Sequence, residues 1–279
     1  MKYFLCTFLL ALVIPVTLFS GEPDKKLHEM GLYPTVKLSF QTCDCPVCRA
    51  NPEENKSVGS GVIIRSEKSS GQIFKDKYVN VVLTASHNIE HAKPPIKIMV
   101  GKYKDWSEID GFDEFTSVVY EKEKDLDIAV MLFVSDKQMP VAKLGIDKKL
   151  YLGDKVIRFG FGLGDDIRFD EGKITSVKTT IPAGMKGKGR MNAHTVFGDS
   201  GGPVYDDEYN VIGITHAIRS NGMSLLTEQS YFARVSDIKT WNESINNSVG
   251  FVYKASDKLP SAILFNLWLS DHQIIGEKK

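Results

Sequence analysis

Short apolar, β-branched runs alternate along the chain with polar breaks rich in Gly, Pro, Asn and Asp. Such runs stand at 35–40, 61–64, 79–84, 96–100, 128–133, 155–158, 172–177, 202–205 and 211–215. Their length and spacing predict the strands of an all-β sandwich or barrel. A parallel βαβ architecture would need regular helical stretches between strands, and the pattern lacks them. One helix is expected near the end of this region. Ser236 can cap it, Asp237 falls in its first turn, and Ile238, Trp241 and Ile245 follow at three- and four-residue spacing.

The longest apolar run covers residues 3–19, follows Lys2 and is broken only by Thr7 and Thr17. A positive charge, an apolar stretch and then the small residues Ser20 and Gly21 form the layout of a secretory signal peptide. Pro15 and the small residues favour cleavage after Ser20. Leu18 at the −3 position does not, and 17 residues is the short edge of a spanning helix, so an uncleaved anchor is the alternative. Either outcome exports the remainder, to the periplasm or outside the cell; membrane contact is expected only if the segment stays. No later run is long enough to span, including the apolar stretch at 262–269.

Composition narrows the class without naming a chemistry. The 279 residues carry 35 Lys+Arg against 35 Asp+Glu, with 42% hydrophobic and 25% charged residues. That balance excludes a disordered chain, a collagen-like fibre and a multi-span membrane protein. Neutrality also argues against nucleic acid as a partner, since that binding rests on clustered positive charge.

Three short motifs bring chemistry into view. Gly198-Asp199-Ser200-Gly201-Gly202-Pro203 sets a hydroxyl among glycines. Serine needs a general base to act as a nucleophile. Glycines let the backbone turn tightly enough for N–H groups to converge beside it and stabilise an oxyanion. The bland alternative is a Gly/Pro-rich turn. In Leu83-Thr84-Ala85-Ser86-His87-Asn88-Ile89, an apolar strand ends in small residues and then an imidazole, where it can face a cleft; the alternative is a surface or capping histidine. In Asp125-Leu126-Asp127-Ile128-Ala129-Val130, Asp127 opens an apolar strand. A partly buried carboxylate is costly unless paired, and an imidazole N–H is such a partner.

Taken together, in the order His87, Asp127, Ser200, the motifs resemble the chymotrypsin-fold, trypsin-like serine peptidases, and in detail the protease domain of the Deg-type heat-shock proteases. The strings that carry the resemblance are G-S-G-V-I-I at 59–64, L-T-A-S-H at 83–87, D-L-D-I-A-V at 125–130, F-G-F-G-L-G at 159–164, E-G-K-I-T-S-V at 171–177, G-D-S-G-G-P-V at 198–204 and V-I-G-I-T-H-A-I at 211–218. A-R-V-S-D-I-K-T-W at 233–241 resembles the final strand and helix of that family. The resemblance covers roughly residues 34 to 247. It implies two six-stranded antiparallel barrels with a C-terminal helix and a cleft between the barrels. Residues 34–141 would form the first barrel, with a Cys-rich loop at 41–57. Residues 142–247 would form the second barrel and helix, after a signal segment (1–20) and a linker (21–33) and before an unassigned tail (248–279). It implies Ser200 as nucleophile, His87 as base and acid, Asp127 as orienting carboxylate, and the N–H groups of Gly198 and Ser200 as the oxyanion hole. The substrates would be proteins or peptides, with no metal or organic cofactor.

The chain departs from that family in several ways. Asn88 stands where many animal members carry a cysteine. No R/K-I-V-G-G activation string occurs, so Asp199, which in zymogens meets a new N-terminus, lacks an evident partner. The tail is too short for the peptide-binding domain that usually follows Deg-type proteases. By the resemblance, His194 would lie at the base of the primary pocket and Thr215, His216, Ala217 and Ile218 along its wall; His216 also falls where the family usually has a serine supporting the catalytic Asp. Ile218, where glycine often opens the pocket, would favour small aliphatic side chains; a protonated His194 or His216 would instead suit an acidic one. Cys43, Cys45 and Cys48 suggest either one local disulfide with an odd thiol or three thiolates for zinc. Two other functions compete with the peptidase: a catalytically silent pseudo-enzyme that binds through the barrel scaffold, and a surface module whose Cys loop and tail hold a partner.

Overall fold

The apolar runs form strands. The computed structural model describes residues 25–43, 56–69, 74–90, 92–104, 108–180, 185–220 and 225–238. Six strands make the first barrel: β1 (Thr35–Gln41), β2 (Lys56–Lys68), β3 (Tyr78–Thr84), β4 (Lys93–Lys104), β5 (Glu108–Glu123) and β6 (Ile128–Ser135). All pairings are antiparallel, in the cyclic order β1-β2-β3-β6-β5-β4, and β4 returns to β1 to close the ring. A short helix, α1 (Ser86–Glu90), follows β3.

The second unit contains β7 (Lys143–Leu144), β8 (Lys155–Gly160), β9 (Arg168–Ser176), β10 (Gly189–Met191), β11 (Pro203–Tyr205), β12 (Asn210–Ser220) and β13 (Leu225–Arg234). Six of these close a second antiparallel barrel, β11-β8-β9-β10-β13-β12, through the β11–β12 pairing. The two-residue β7 lies parallel to β12 outside that ring.

Side-chain alternation explains why the run at 128–133 is apolar throughout. Every position of β6 is buried. Ala129, Met131 and Phe133 join Val36, Leu38, Ile63, Val82 and Ile98 inside the first barrel. Ile128, Val130 and Leu132 point the other way, with Val81 and Leu83. They meet Ile157, Phe159, Tyr205, Val211 and Ile214 in the layer between the barrels. Val156, Ile174, Met191, Val204, Ile212 and Phe232 fill the second barrel. One wall of the first barrel is therefore also half of the interface.

Residues 25–33, expected to be part of a linker, are instead structured. Leu27–Leu32 forms a helical turn, and Leu32 is buried in the inter-barrel layer. Thr35 Oγ1 donates to the Gly31 carbonyl at 2.8 Å. At the other end, the expected helix begins as a 3₁₀ turn over Val235–Ile238 with Ser236 inside it rather than capping it. Trp241, Ile245, the tail, the N-terminal segment 1–24, Cys45 and Cys48 lie outside the described residues. Cys43 is disulfide-bonded. Among the described residues no helix is long and apolar enough to cross a membrane.

Phe133 is fully buried in the first barrel, with its ring 4.8 Å from that of Phe115. Phe133→Ala is expected to lower stability by about 3–5 kcal/mol. Denaturant unfolding reads this as a lower midpoint, and an unchanged midpoint would contradict the packing described.

Candidate active site

His87 projects from α1, three residues beyond Thr84, the last residue of β3. Asp127 closes the turn before β6 with a positive φ of 53°. The two meet through both carboxylate oxygens. The His87 backbone N–H donates to Oδ1 at 2.9 Å, and His87 Nδ1 lies 2.8 Å from Oδ2. An ionised carboxylate can only accept, so Nδ1 carries the proton and Nε2 is left as the basic nitrogen. The Asp127 side chain is 8% exposed, that of His87 41%. The carboxylate is desolvated while the imidazole edge stays open.

A second imidazole shares the same oxygen. His216 Nδ1 hydrogen-bonds to Asp127 Oδ2. The two rings stand edge to face, 5.7 Å apart. His216 reaches Asp127 because β12 bulges there: Thr215 pairs with Phe232 and Ala217 with Tyr231, leaving His216 the extra residue. Burial pushes the Asp127 carboxyl up, but the hydrogen bonds and charges of His216 and His87 outweigh it and hold it well below the usual carboxylate range. From the second barrel, Lys188 donates through Nζ to the carbonyls of Asp125 and Leu126 and so fixes the turn that carries Asp127.

Ser200 lies on the loop before β11, and the first barrel grips that loop. The Ser60 N–H donates to the Ser200 carbonyl at 2.8 Å, and Ser60 Oγ to the Gly198 carbonyl at 2.7 Å. Asn88 Nδ2 donates to the Ser200 carbonyl at 2.8 Å and to Thr84 Oγ1 at 3.2 Å. The side chain that stands in place of a disulfide cysteine thus clamps the serine loop. The Ser200 hydroxyl donates to the backbone carbonyl of His216 at 3.3 Å.

Two glycines make this loop possible. Gly201 has a φ of +88°, and a Cβ there would come within 2.1 Å of the Ser60 carbonyl oxygen. Gly198 has a φ of +95°, and a Cβ would meet the Phe161 carbonyl oxygen at 2.5 Å. The Phe197 carbonyl accepts from the Leu163 N–H at 2.6 Å. In a trans peptide the N–H points opposite to the carbonyl, so the Gly198 N–H is directed away from Leu163. Among the described residues neither the Gly198 nor the Ser200 N–H has a protein acceptor.

Beneath the loop, Asp199 is fully buried. Its Oδ2 accepts from the Val196 N–H at 2.9 Å, and its Oδ1 lies 2.8 Å from Nη1 of Arg158, itself 1% exposed. The guanidinium hydrogens are off-axis, so the contact is an ion pair rather than an aligned hydrogen bond. Arg168 Nη2 adds a second cation at 3.7 Å. Burial lowers the Arg158 pKa, and the charge of Asp199 opposes that shift. The carboxylate without an evident partner in the sequence is met by a side chain of β8.

The expected pocket residues separate. His194, Ala217 and Ile218 are part-exposed. The Thr215 side chain is fully buried, and its backbone brackets the serine loop by donating to Gly202 O and accepting from Gly201 N–H, both at 2.8 Å. The His216 side chain is likewise withdrawn from the pocket by its bond to Asp127. In the sequence Ser60, Arg158 and Lys188 carry no functional mark, and Asn88 stands out only as the residue in place of a cysteine. The signal available was a charge inside an apolar strand, Arg158 in K-V-I-R-F-G.

Removing one partner of a buried ion pair leaves the other uncompensated, at about 3–5 kcal/mol. Arg158→Met should therefore lower the denaturation midpoint markedly, and Arg158→Met with Asp199→Asn should recover part of the loss; equal losses in both would contradict the pairing. Asp127 acts through pH. Its folded pKa lies below the unfolded value of about 3.9, so its stabilisation is complete above that pH and fades as pH falls below it. The stability advantage over Asp127→Asn should shrink on acidification below about pH 4, as followed by thermal unfolding, and an advantage that grew there would reverse the assigned sign.

The family model for the trypsin-like peptidase domain matches residues 59–214. "Putative protease Do-like 14" of Arabidopsis thaliana is 29% identical over 164 residues, covering 57% of this chain and 35% of that protein. A "Probable periplasmic serine endoprotease DegP-like" of Pseudomonas putida is 27% identical over 180 residues, covering 61% of this chain and 31% of the relative. The chain thus spans about a third of the length of these relatives. Among solved structures, "HtrA-type protease AlgW with tripeptide" superimposes with a TM-score of 0.59 at 19% identity, covering 78% of this chain and 62% of the other. That likeness supports the two-barrel, chymotrypsin-type fold. The matched segment includes His87, Asp127 and Ser200, and the chain belongs to the trypsin-like peptidase domain family.

Proposed function

We propose that the chain is an exported serine endopeptidase that hydrolyses peptide bonds through an acyl-enzyme. The observation that carries the reading is the His87–Asp127 hydrogen bond beside a serine loop whose Gly198 and Ser200 N–H groups have no acceptor among the described residues. Ser200 Oγ leaves the His216 carbonyl, turns to His87 Nε2 and attacks the substrate carbonyl as Nε2 takes its proton. Asp127 holds the Nδ1–H tautomer and stabilises the imidazolium. The N–H groups of Gly198 and Ser200 receive the oxyanion. His87 then gives the proton to the leaving amine, and water repeats the sequence to release the acid. Export rests on the apolar run at 3–19 and on the periplasmic relative. The intact His-Asp-Ser set weighs against a silent binding module.

The primary pocket takes small aliphatic side chains, because Ile218 narrows its wall and His216 is bound to Asp127. The His194 imidazole is the remaining group that could draw an acidic residue.

Two experiments test this. A serine-directed fluorophosphonate should label the chain at Ser200, and Ser200→Ala should abolish labelling and lower peptide cleavage by at least about a thousandfold. Absence of labelling in folded protein would overturn the peptidase reading. Cleavage-site profiling with a peptide library should return cuts after Ala or Val; dominant cuts after Glu would overturn the pocket assignment.

A further inference from the structure

The geometry points to a second occupant of the Asp127 carboxylate: a zinc-type divalent ion held by His87, Asp127 and His216, whose binding switches the serine chemistry off. This inference rests on the reading of His87 as the base. Among the described residues these three are the one group of His, Cys, Asp or Glu side chains that converges as a ligand set, with one ligand atom from each lying within 4.8 Å of the others.

The chemistry of the set is selective. Two imidazole nitrogens and one carboxylate oxygen suit zinc, copper or nickel, whereas magnesium and calcium prefer oxygen throughout. Zinc bonds of about 2.0–2.1 Å in a tetrahedron want ligand atoms about 3.3 Å apart. His87 Nδ1 stands 2.8 Å from Asp127 Oδ2 and His216 Nδ1 closer still, so both imidazoles must draw back from the carboxylate to admit an ion, His87 by about half an ångström and His216 by more. The fourth ligand would be water, reaching the set past the part-exposed His87 ring.

The frame around the set is already built. The His87 N–H holds Asp127 Oδ1, the β12 bulge presents His216, and Lys188 fixes the 125–126 carbonyls. Lys188 also brings a positive charge close to Asp127, which sets a limit on the affinity.

Inhibition follows from the tautomer. A neutral imidazole bound to metal through Nδ1 carries its proton on Nε2. His87 would then present a donor to Ser200 where the reaction needs an acceptor. The metal would also occupy the Asp127 oxygen that stabilises the imidazolium. Ser200 itself is untouched, so the block is reversible.

The test separates binding from activity. Calorimetric titration of zinc into the full chain carrying Ser200→Ala should show one site per chain. Adding His216→Ser or His216→Asn should weaken it at least about tenfold, with folding checked by circular dichroism. Cobalt in place of zinc should give d–d absorption without a thiolate charge-transfer band. Zinc should slow fluorophosphonate labelling of the otherwise unaltered chain at least about tenfold, reversed by a chelator. In each His216 variant, labelling should fall less than twofold relative to its own metal-free rate. Binding unaffected by both His216 variants, a thiolate band, or zinc binding that leaves labelling unchanged would each overturn the proposal. If metal-free labelling fails, the peptidase reading falls, while the calorimetry still decides whether the ion binds.

Discussion

The serine loop depends on one buried ion pair. Asp199 and Arg158 are both removed from water, and neither charge would be tolerable alone. Arg158 stands in β8, in a strand otherwise made of core residues, and its guanidinium fixes the carboxylate next to Ser200. The same carboxylate holds the Val196 N–H, so the segment leading into the loop is tied to the same point. Arg168 adds charge from β9. The anchor therefore belongs to the second barrel, and the loop above it is free to be met from the other side.

That other side is the first barrel. Ser60, Thr84 and Asn88 come from β2, β3 and α1, and two of them, Ser60 and Asn88, bond the serine loop directly. Thr84 Oγ1 donates to the Ser60 carbonyl at 2.7 Å and joins them into one network. Beneath this polar contact lies the apolar layer shared by β3, β6, β8 and β12. Hydrophobic burial sets the distance between the barrels, and these hydrogen bonds fix the serine loop of the second barrel against the first. Lys188 closes the frame by reaching back from the second barrel to the turn of Asp127.

Much of this was legible in the sequence, for identifiable reasons. Strands buried on both faces, β3 and β6, read as continuous apolar runs. The glycines of the serine loop read as a tight turn because no other residue fits positive φ beside the Ser60 carbonyl. β5 was not legible: E-I-D-G-F-D-E-F mixes charge into a strand largely outside the core. Arg158 was hidden because a lone cation in an apolar run does not reveal which carboxylate it meets. The family resemblance offers His216 two places, on the pocket wall or at the position that supports the catalytic Asp, and a one-residue bulge turns it to Asp127. Asn88 was noticed only as a missing cysteine, whereas its amide makes the cross-barrel bond.

As proposed, the anchored loop presents Ser200 and two N–H donors to a single point, and a crystal structure of the chain reacted with a serine-directed phosphonate would show it. The expected adduct has a bond from Ser200 Oγ to phosphorus, a phosphonyl oxygen within about 3.1 Å of the Gly198 and Ser200 nitrogens, and the Arg158–Asp199 pair unbroken beneath. An adduct on another residue, or a phosphonyl oxygen turned away from both nitrogens, would contradict it.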